Sequence, residues 1–327
     1  IIPLLLRNLN KAGVPNKDIR IVMALGTHRP MTREEMAQKV GVKVLRRVEV
    51  VNSEFSDKEK LIDLGVAPGG VRVWIDRAVV DGDVKIGVGT ILPHPVAGWG
   101  GGGKIVYPGV AGEETVRAFH LQYGRMPRGF FGMEKSPIRE NMEKWVDTLG
   151  LDFIVNAIVT PDRRIYKVVT GHYILAHRVG VGFAKEVYGV KAKEKADIVI
   201  VGSYPADLDF WQAGKALCSG ELLTKDGGSL ILVTPCYEGI GPHKFLADYI
   251  GDDEPERLLE ETLQGRVEDP VAVSGAVALG RMRKRIKIGV ISDGLSVNHV
   301  QRMKFEHYEN VEEALRTKLD EYGEEAK

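Results

Sequence analysis

Apolar and polar residues recur along this chain with two different periods, and the two periods sort it into helices and strands. Leu4, Leu5, Leu6 and Leu9 fall at helical spacing over residues 2–12, and the pattern stops at Gly13, which predicts an amphipathic helix. Asp18 to Leu25 follows as a buried strand. Thr32 and Glu35 form a capping-box pair for a helix from Arg33 to Val40, so Gly26 to Pro30 falls in the loop between a strand end and a helix start. Alternation in Val71 to Ile75 and the apolar run Val84 to Leu92 predict two more strands, the second emptying into a glycine-rich loop. Glu113 to Leu121 reads as a short helix, and Ser136-Pro137 as the N-cap and first position of a helix ending near Gly150. Leu151 to Val159 and Arg164 to Val169 predict a hairpin, followed by a helix from Tyr173 to Tyr188.

The charged segment Lys191 to Lys195 sets an expected boundary between domains spanning 1–190 and 191–327. Beyond it, a strand at Ala196 to Gly202, a helix at Asp209 to Leu217 and a strand at Ser229 to Val233 make a βαβ unit, which calls for a parallel sheet. A helix near Pro270 to Met282, a strand at Ile286 to Ile291 and a helix from Val311 to Tyr322 extend it. The expected fold is therefore α/β: two layered domains with mainly parallel or mixed sheets.

Composition narrows the function classes. In 327 residues, 45 Lys and Arg balance 45 Asp and Glu, so no overall basic field points to nucleic acid or an anionic membrane. Small molecules are the expected partners. Cys218 and Cys236 lack metal-site spacing and a disulfide pattern, which fits a reducing cytoplasm. No apolar run approaches the ~20 residues of a membrane helix. The chain starts at Ile1 without Met, and a natural N-terminal segment is expected to precede it.

Candidate chemistry centres on His94 to Lys104, where a histidine and a lysine are joined by glycines. A run so poor in side chains lets backbone amides approach a ligand closely. Gly98, Gly100 and Gly103 satisfy GxGxxG by count, but Pro108 and Gly109 forbid the helix that should hold a pyrophosphate. Gly98 to Lys104 nearly matches a phosphate loop, yet Ile105 stands where Ser or Thr would ligate magnesium. His28 and His94 both lie at strand-to-loop positions where ligands collect in open α/β sheets. His120, on an apolar helix, reads by itself as a buried structural residue. His172 and His177 are expected to be structural, and His243, His299 and His307 to lie at the surface.

Taken in order, Gly26-Thr-His-Arg-Pro-Met-Thr32, Pro93 to Gly98 with Gly101 to Lys104, Pro108-Gly109, His120 and Trp211 to Lys215 resemble the nickel-dependent lactate racemase family. The resemblance implies a nickel pincer nucleotide, a pyridinium mononucleotide carrying a thioamide and a thiocarboxylate. It implies Lys104 as the covalent anchor, with Gly101 and Gly102 beside the cofactor, and His120 as a nickel ligand. It makes His28 and His94 the acid/base pair, one for each substrate enantiomer's hydroxyl, with imidazole pKa values near ~6.5 suited to the task. Gln212 and Lys215, one turn apart, resemble the pair that holds the substrate carboxylate, with Trp211 beside them, which would put the active site in the cleft between the domains. The substrate would be a 2-hydroxy acid, and the further partners would be cofactor-biosynthesis and nickel-insertion proteins.

Three departures bear on this. The family's Asp-x-Thr-Arg-Pro loop has no counterpart within the chain. Trp99 and Gly100 stand where an aromatic residue and Ser are common, and Trp211 stands where lactate-specific members are expected to carry Tyr. The resemblance therefore implies a 2-hydroxy acid without fixing lactate. A phosphate-loop nucleotide-binding protein and a non-catalytic homologue stay open as alternatives.

Overall fold

The computed structural model describes residues 1–126 and 129–327. Its strands, in chain order, are β1 (Arg20–Met23), β2 (Glu49–Asn52), β3 (Leu61–Ala67), β4 (Val71–Asp76), β5 (Ile86–Thr90), β6 (Pro93–His94), β7 (Gly98–Trp99), β8 (Phe153–Val159), β9 (Ile165–Gly171), β10 (Ala196–Gly202), β11 (Thr224–Val233), β12 (Lys287–Ile291) and β13 (Glu306–His307). The chain forms two compact units: Ile1–Ile91 with Gly101–Phe119 and Arg139–Phe183, and Leu92–Gly100 with His120–Ile138 and Ala184–Lys327.

In the first unit β1 and β2 pair in parallel under a small core of Leu6, Val40, Val44 and Val48. The helix Arg33–Val40 begins where the Thr32–Glu35 capping box predicts, with both reciprocal bonds made. β3 and β4 form an antiparallel ribbon. The main sheet runs β5-β8-β9, with β8 parallel to β5 and antiparallel to β9. β8 is buried on both faces from Ile154 to Ile158, which is why it reads as a nearly unbroken apolar run rather than an alternation. The helix Leu175–Tyr188 lies close on this sheet at Gly180, where a Cβ would stand 2.3 Å from Ile91 Cδ1.

The second unit is built on the parallel sheet β10-β11-β12-β13, the βαβ outcome expected from the sequence. One side of the sheet carries the main core, including Leu230, Leu232, Ile288 and Val290 packed on Phe210, Leu217 and Ala276. On the other side Ile231 meets Tyr308 and Ala314. The helix Pro270–Arg283 is apolar and buried over most of its length, so its period carries little face information. The expected helix Asp209 to Leu217 is two short ones, Phe210–Ala213 and Lys215–Glu221, joined at Gly214. Gly214 keeps right-handed dihedrals of φ −56° and ψ −19°, so Gln212 and Lys215 still lie one turn apart. Both cysteines are free, and among the described residues no helix is long and apolar enough to cross a membrane.

Candidate active site

The glycine run turns on two left-handed residues, Gly101 (φ 73°) and Gly102 (φ 60°). Its missing side chains are explained first by the protein itself. A Cβ on Gly101 would lie 2.7 Å from Asn156 Oδ1, one on Gly102 3.0 Å from the His177 ring and one on Gly103 2.8 Å from Val146 Cγ2. After them Gly102–Ile105 forms a short 3-10 turn that bears Lys104, partly exposed. No α-helix starts directly at the end of the run, as Pro108 and Gly109 predict, the next one beginning at Glu113, which removes the structural context of a phosphate loop or a dinucleotide fingerprint.

His28 belongs to the same unit. Its N–H closes a turn on Leu25 O at 3.2 Å, and the Leu25 N–H is held by Ser53 Oγ at 3.1 Å. The Gly26 N–H donates to Gly109 O at 2.8 Å, which ties the turn carrying His28 to the segment that follows Lys104. Next to His28, Arg29 donates to both oxygens of Glu35 at 2.9 and 2.8 Å. Those bonds, with the Thr32 N–H, hold the Glu35 carboxyl down to about 2.

His94, in the second unit, sits on the two-residue ribbon β6–β7. Its Nδ1 accepts the Val96 and Ala97 N–H groups at 3.1 and 3.2 Å, so in the neutral ring the proton resides on Nε2. The ribbon is braced by the segment 130–133: the Phe130 N–H bonds Pro95 O at 2.8 Å and the Gly132 N–H bonds Gly98 O at 3.0 Å. Trp99 is 3% exposed and donates Nε1–H to Gly132 O at 3.0 Å. Its indole is part of this brace.

His120 lies on the helix Glu113–Gly124, which runs three residues beyond its expected end. Its ring centroid is 6.4 Å from that of Trp211, and Trp211 meets His243 edge-on at 4.5 Å. The indole fits a notch at Gly275, where a Cβ would stand 2.9 Å from Cζ3. His243 was expected at the surface and is instead 8% exposed, because its Nδ1 bonds Asp269 Oδ2 at 2.8 Å and its ring fills the space against Trp211. Burial raises the Asp269 carboxyl, and the bond to His243, the charge of that ring and the Ala272 and Val271 N–H groups together outweigh it and leave the carboxyl below the usual carboxylate range. The polar neighbours of His243 in sequence gave no sign of this partnership, since Asp269 is distant along the chain.

Close by in sequence, Asp209 caps the helix Phe210–Ala213 by accepting the Gln212 N–H at 2.8 Å. Lys215 Nζ donates to Gln212 Oε1. Burial pushes the Lys215 pKa down to about 8, with Asp209 opposing through space. Of the two histidines expected to be structural, His177 is fully buried and its Nδ1 meets Arg178 at 2.9 Å, while His172 is exposed and stacks on Tyr173 at 4.7 Å. Asn156, which the sequence reading passed over inside an apolar strand, accepts the Gly102 N–H at 2.7 Å.

Comparison with known proteins agrees along the whole chain. Residues 1–129 match the family model of the lactate racemase N-terminal domain and residues 190–327 that of the lactate racemase C-terminal domain. The chain is 30% identical to the lactate racemase of Lactiplantibacillus plantarum over 332 residues, covering 100% of this chain and 78% of that protein. It is 30% identical to the lactate racemase of Thermoanaerobacterium thermosaccharolyticum, covering 96% and 75%. The solved structure of the lactate racemase apoprotein from Thermoanaerobacterium thermosaccharolyticum superposes with a TM-score of 0.87 at 28% identity, covering 99% of this chain and 79% of that one. A structural-genomics crystal structure from Thermotoga maritima shares the fold, with a TM-score of 0.73 at 19% identity over 94% of this chain and 83% of that one. On these matches the chain belongs to the lactate racemase family and is an isomerase of the racemase kind.

Proposed function

We propose that this racemase inverts the hydroxyl-bearing carbon of a short 2-hydroxy acid, with lactate, the acid named for its relatives, as the first candidate. The observation that carries the reading is Lys215. Its ammonium is desolvated enough to bring its pKa to about 8 and donates to the neutral Gln212. Among the described residues no carboxylate lies within ion-pair distance of it. A partly buried cation without an ion-pair partner gains from an incoming anion, and a 2-hydroxy acid brings that charge in its carboxylate. Gln212 adds a neutral amide to the same grip, and Trp211 precedes it on the short helix Phe210–Ala213.

Inversion at a carbon bearing H and OH asks for proton exchange with the hydroxyl of either enantiomer, hence for two groups. We assign these to His28 and His94. Because two backbone amides occupy Nδ1 of His94, the exchange at that ring runs through Nε2. In the tautomer those amides favour, Nε2 carries the proton and meets a substrate oxygen as a donor; to accept a proton it must first give its own away, with the ring proton on Nδ1 in place of the two amide bonds.

Leaving as hydride, the hydrogen on carbon avoids a carbanion beside a carboxylate, and that route takes a two-electron acceptor, which side chains do not supply. The nickel pincer nucleotide implied by the family resemblance provides that acceptor when bound. The donor set suits it: among the described residues no three His, Cys, Asp or Glu side chains are grouped to hold a bare metal ion, whereas a metal carried by an organic ligand asks for one further donor. His120 would supply that nitrogen. Lys104 would anchor the nucleotide, with Gly101 and Gly102 as the backbone beside the anchor, after loading by cofactor-biosynthesis and nickel-insertion proteins.

The test is a panel of single-enantiomer 2-hydroxy acids given to the cofactor-loaded protein and followed by chiral chromatography. Lactate and its short aliphatic neighbours are expected to invert, and the peptide containing Lys104 is expected to gain the cofactor's mass. A loaded protein that inverts none of the panel overturns the reading.

A further inference from the structure

We propose that Asn156 is the positioning residue of the lysine-bearing loop: its carboxamide oxygen holds the Gly101–Gly102 turn in the backbone geometry that presents Lys104. The inference rests on the reading of Lys104 as the anchor, and it starts from an anomaly in β8. That strand reads Phe153-Ile-Val-Asn-Ala-Ile-Val159, apolar at every position but one. The exception is central and 1% exposed, in register with Gly89 on β5 and Val169 on β9. A carboxamide in such a place is poorly suited to a strand and costly unless satisfied.

It is satisfied on one side only. Oδ1 accepts the Gly102 N–H at 2.7 Å, which fixes the orientation of the amide and sends Nδ2 the other way. Nδ2 is buried without a hydrogen-bond partner. A valine or leucine would fill the strand position without that orphaned donor, so packing does not explain the residue. Its oxygen does. An aspartate would offer the same oxygen at the cost of burying a charge.

The loop needs such an acceptor. Gly101 (φ 73°, ψ −171°) and Gly102 (φ 60°) adopt consecutive conformations that only glycine holds without strain, and glycine loses the most freedom on being fixed. Within the turn itself, the Lys104 N–H reaches Gly101 O only at 3.3 Å. The short bond to Asn156 is the strong one, and a Cβ on Gly101 would strike the same oxygen at 2.7 Å. The loop is thus seated on Asn156 at two adjacent residues, and Lys104 follows Gly102 by two positions.

The experiment compares Asn156→Val and Asn156→Asp in the full chain, by hydrogen exchange of the peptide spanning residues 100–105, by mass gain at Lys104 on loading with cofactor, and by thermal unfolding. Asn156→Val is expected to keep or raise the melting temperature while exchange of the loop peptide speeds at least tenfold and attachment slows by a similar factor. Asn156→Asp is expected to keep slow exchange and attachment close to the parent's. Parent-like exchange in a folded Asn156→Val protein overturns the proposal, as does fast exchange in Asn156→Asp with global protection intact. Should Asn156→Val fail to fold, Asn156→Asp decides. A parent protein that never gains mass at Lys104 sinks the anchor reading alone, since exchange of the loop reports on Asn156 without any cofactor.

Discussion

Lys104 and Lys215, the lysines proposed as cofactor anchor and carboxylate partner, are held in opposite ways. Lys104 rides on backbone: three glycines pressed against Asn156, His177 and Val146 set the course of the main chain that carries it. Lys215 sits at a helix start where its ammonium is desolvated, bonded to Gln212 and within the field of Asp209. A covalent anchor has to arrive at one place, which rigid main chain provides. A carboxylate-binding cation has to be electrostatically unsatisfied, which burial provides. The two sites should therefore fail by different routes.

The largest break in this contrast is expected at Gly102. Alanine there must take a left-handed φ and push into the His177 ring, which together should cost about 2–4 kcal/mol of stability in urea unfolding and abolish attachment at Lys104. Lys215→Met should do the reverse: stability equal to or above the parent's, because a lone desolvated charge is gone, with KM for the hydroxy acid up about a hundredfold. Steady-state kinetics beside an unfolding curve separate the two.

Acidity sharpens the comparison next. The Lys215 pKa is lowered from 10.5 to about 8, so between those values the unfolded chain holds a proton the native one has lost, and stability rises with pH across that window. Carboxylate affinity runs the other way, weakening roughly tenfold per pH unit once the ammonium deprotonates above pH 8. Lys215→Arg should flatten that fall, since a guanidinium stays charged. If substrate affinity holds constant from pH 8 to 10 in the parent, Lys215 is not the carboxylate's partner. The smallest effect is expected at Gly275→Ala, whose methyl would displace the Trp211 indole; about 1 kcal/mol of stability and a few-fold change in substrate preference should accompany a shift in tryptophan fluorescence.

Much of the fold was legible because it is local. The helix Arg33–Val40 is announced by its capping box, Val311–Tyr322 by its amphipathic period, and the β8–β9 hairpin by two runs flanking Thr160 to Arg163. Elements without a clean period were missed or blurred: β3, interrupted by Gly65 and a register shift, and the helix 209–217, divided at Gly214. At the site, residues spaced by chemistry along the chain stood out, including His28, His94, Lys104 and Lys215. The polar residues packed near Gly102 and Trp211 did not. Asn156, His243 and Asp269 act through partners far away in sequence, and an isolated polar residue carries no trace of the atom it will meet. Trp99 drew notice as a departure inside the glycine run, but the run carried no trace of the bond its indole makes to Gly132 O.

The bond from the Gly26 N–H to Gly109 O has a practical corollary. Both of its ends are glycines, so the link between the turn of His28 and the loop of Lys104 has no side chain by which to be deleted. Conventional scanning would credit any communication between the two residues to the residues themselves. Replacing the Gly26 amide by an ester, which removes the donor and leaves every side chain in place, would show how much of it belongs to a single peptide group.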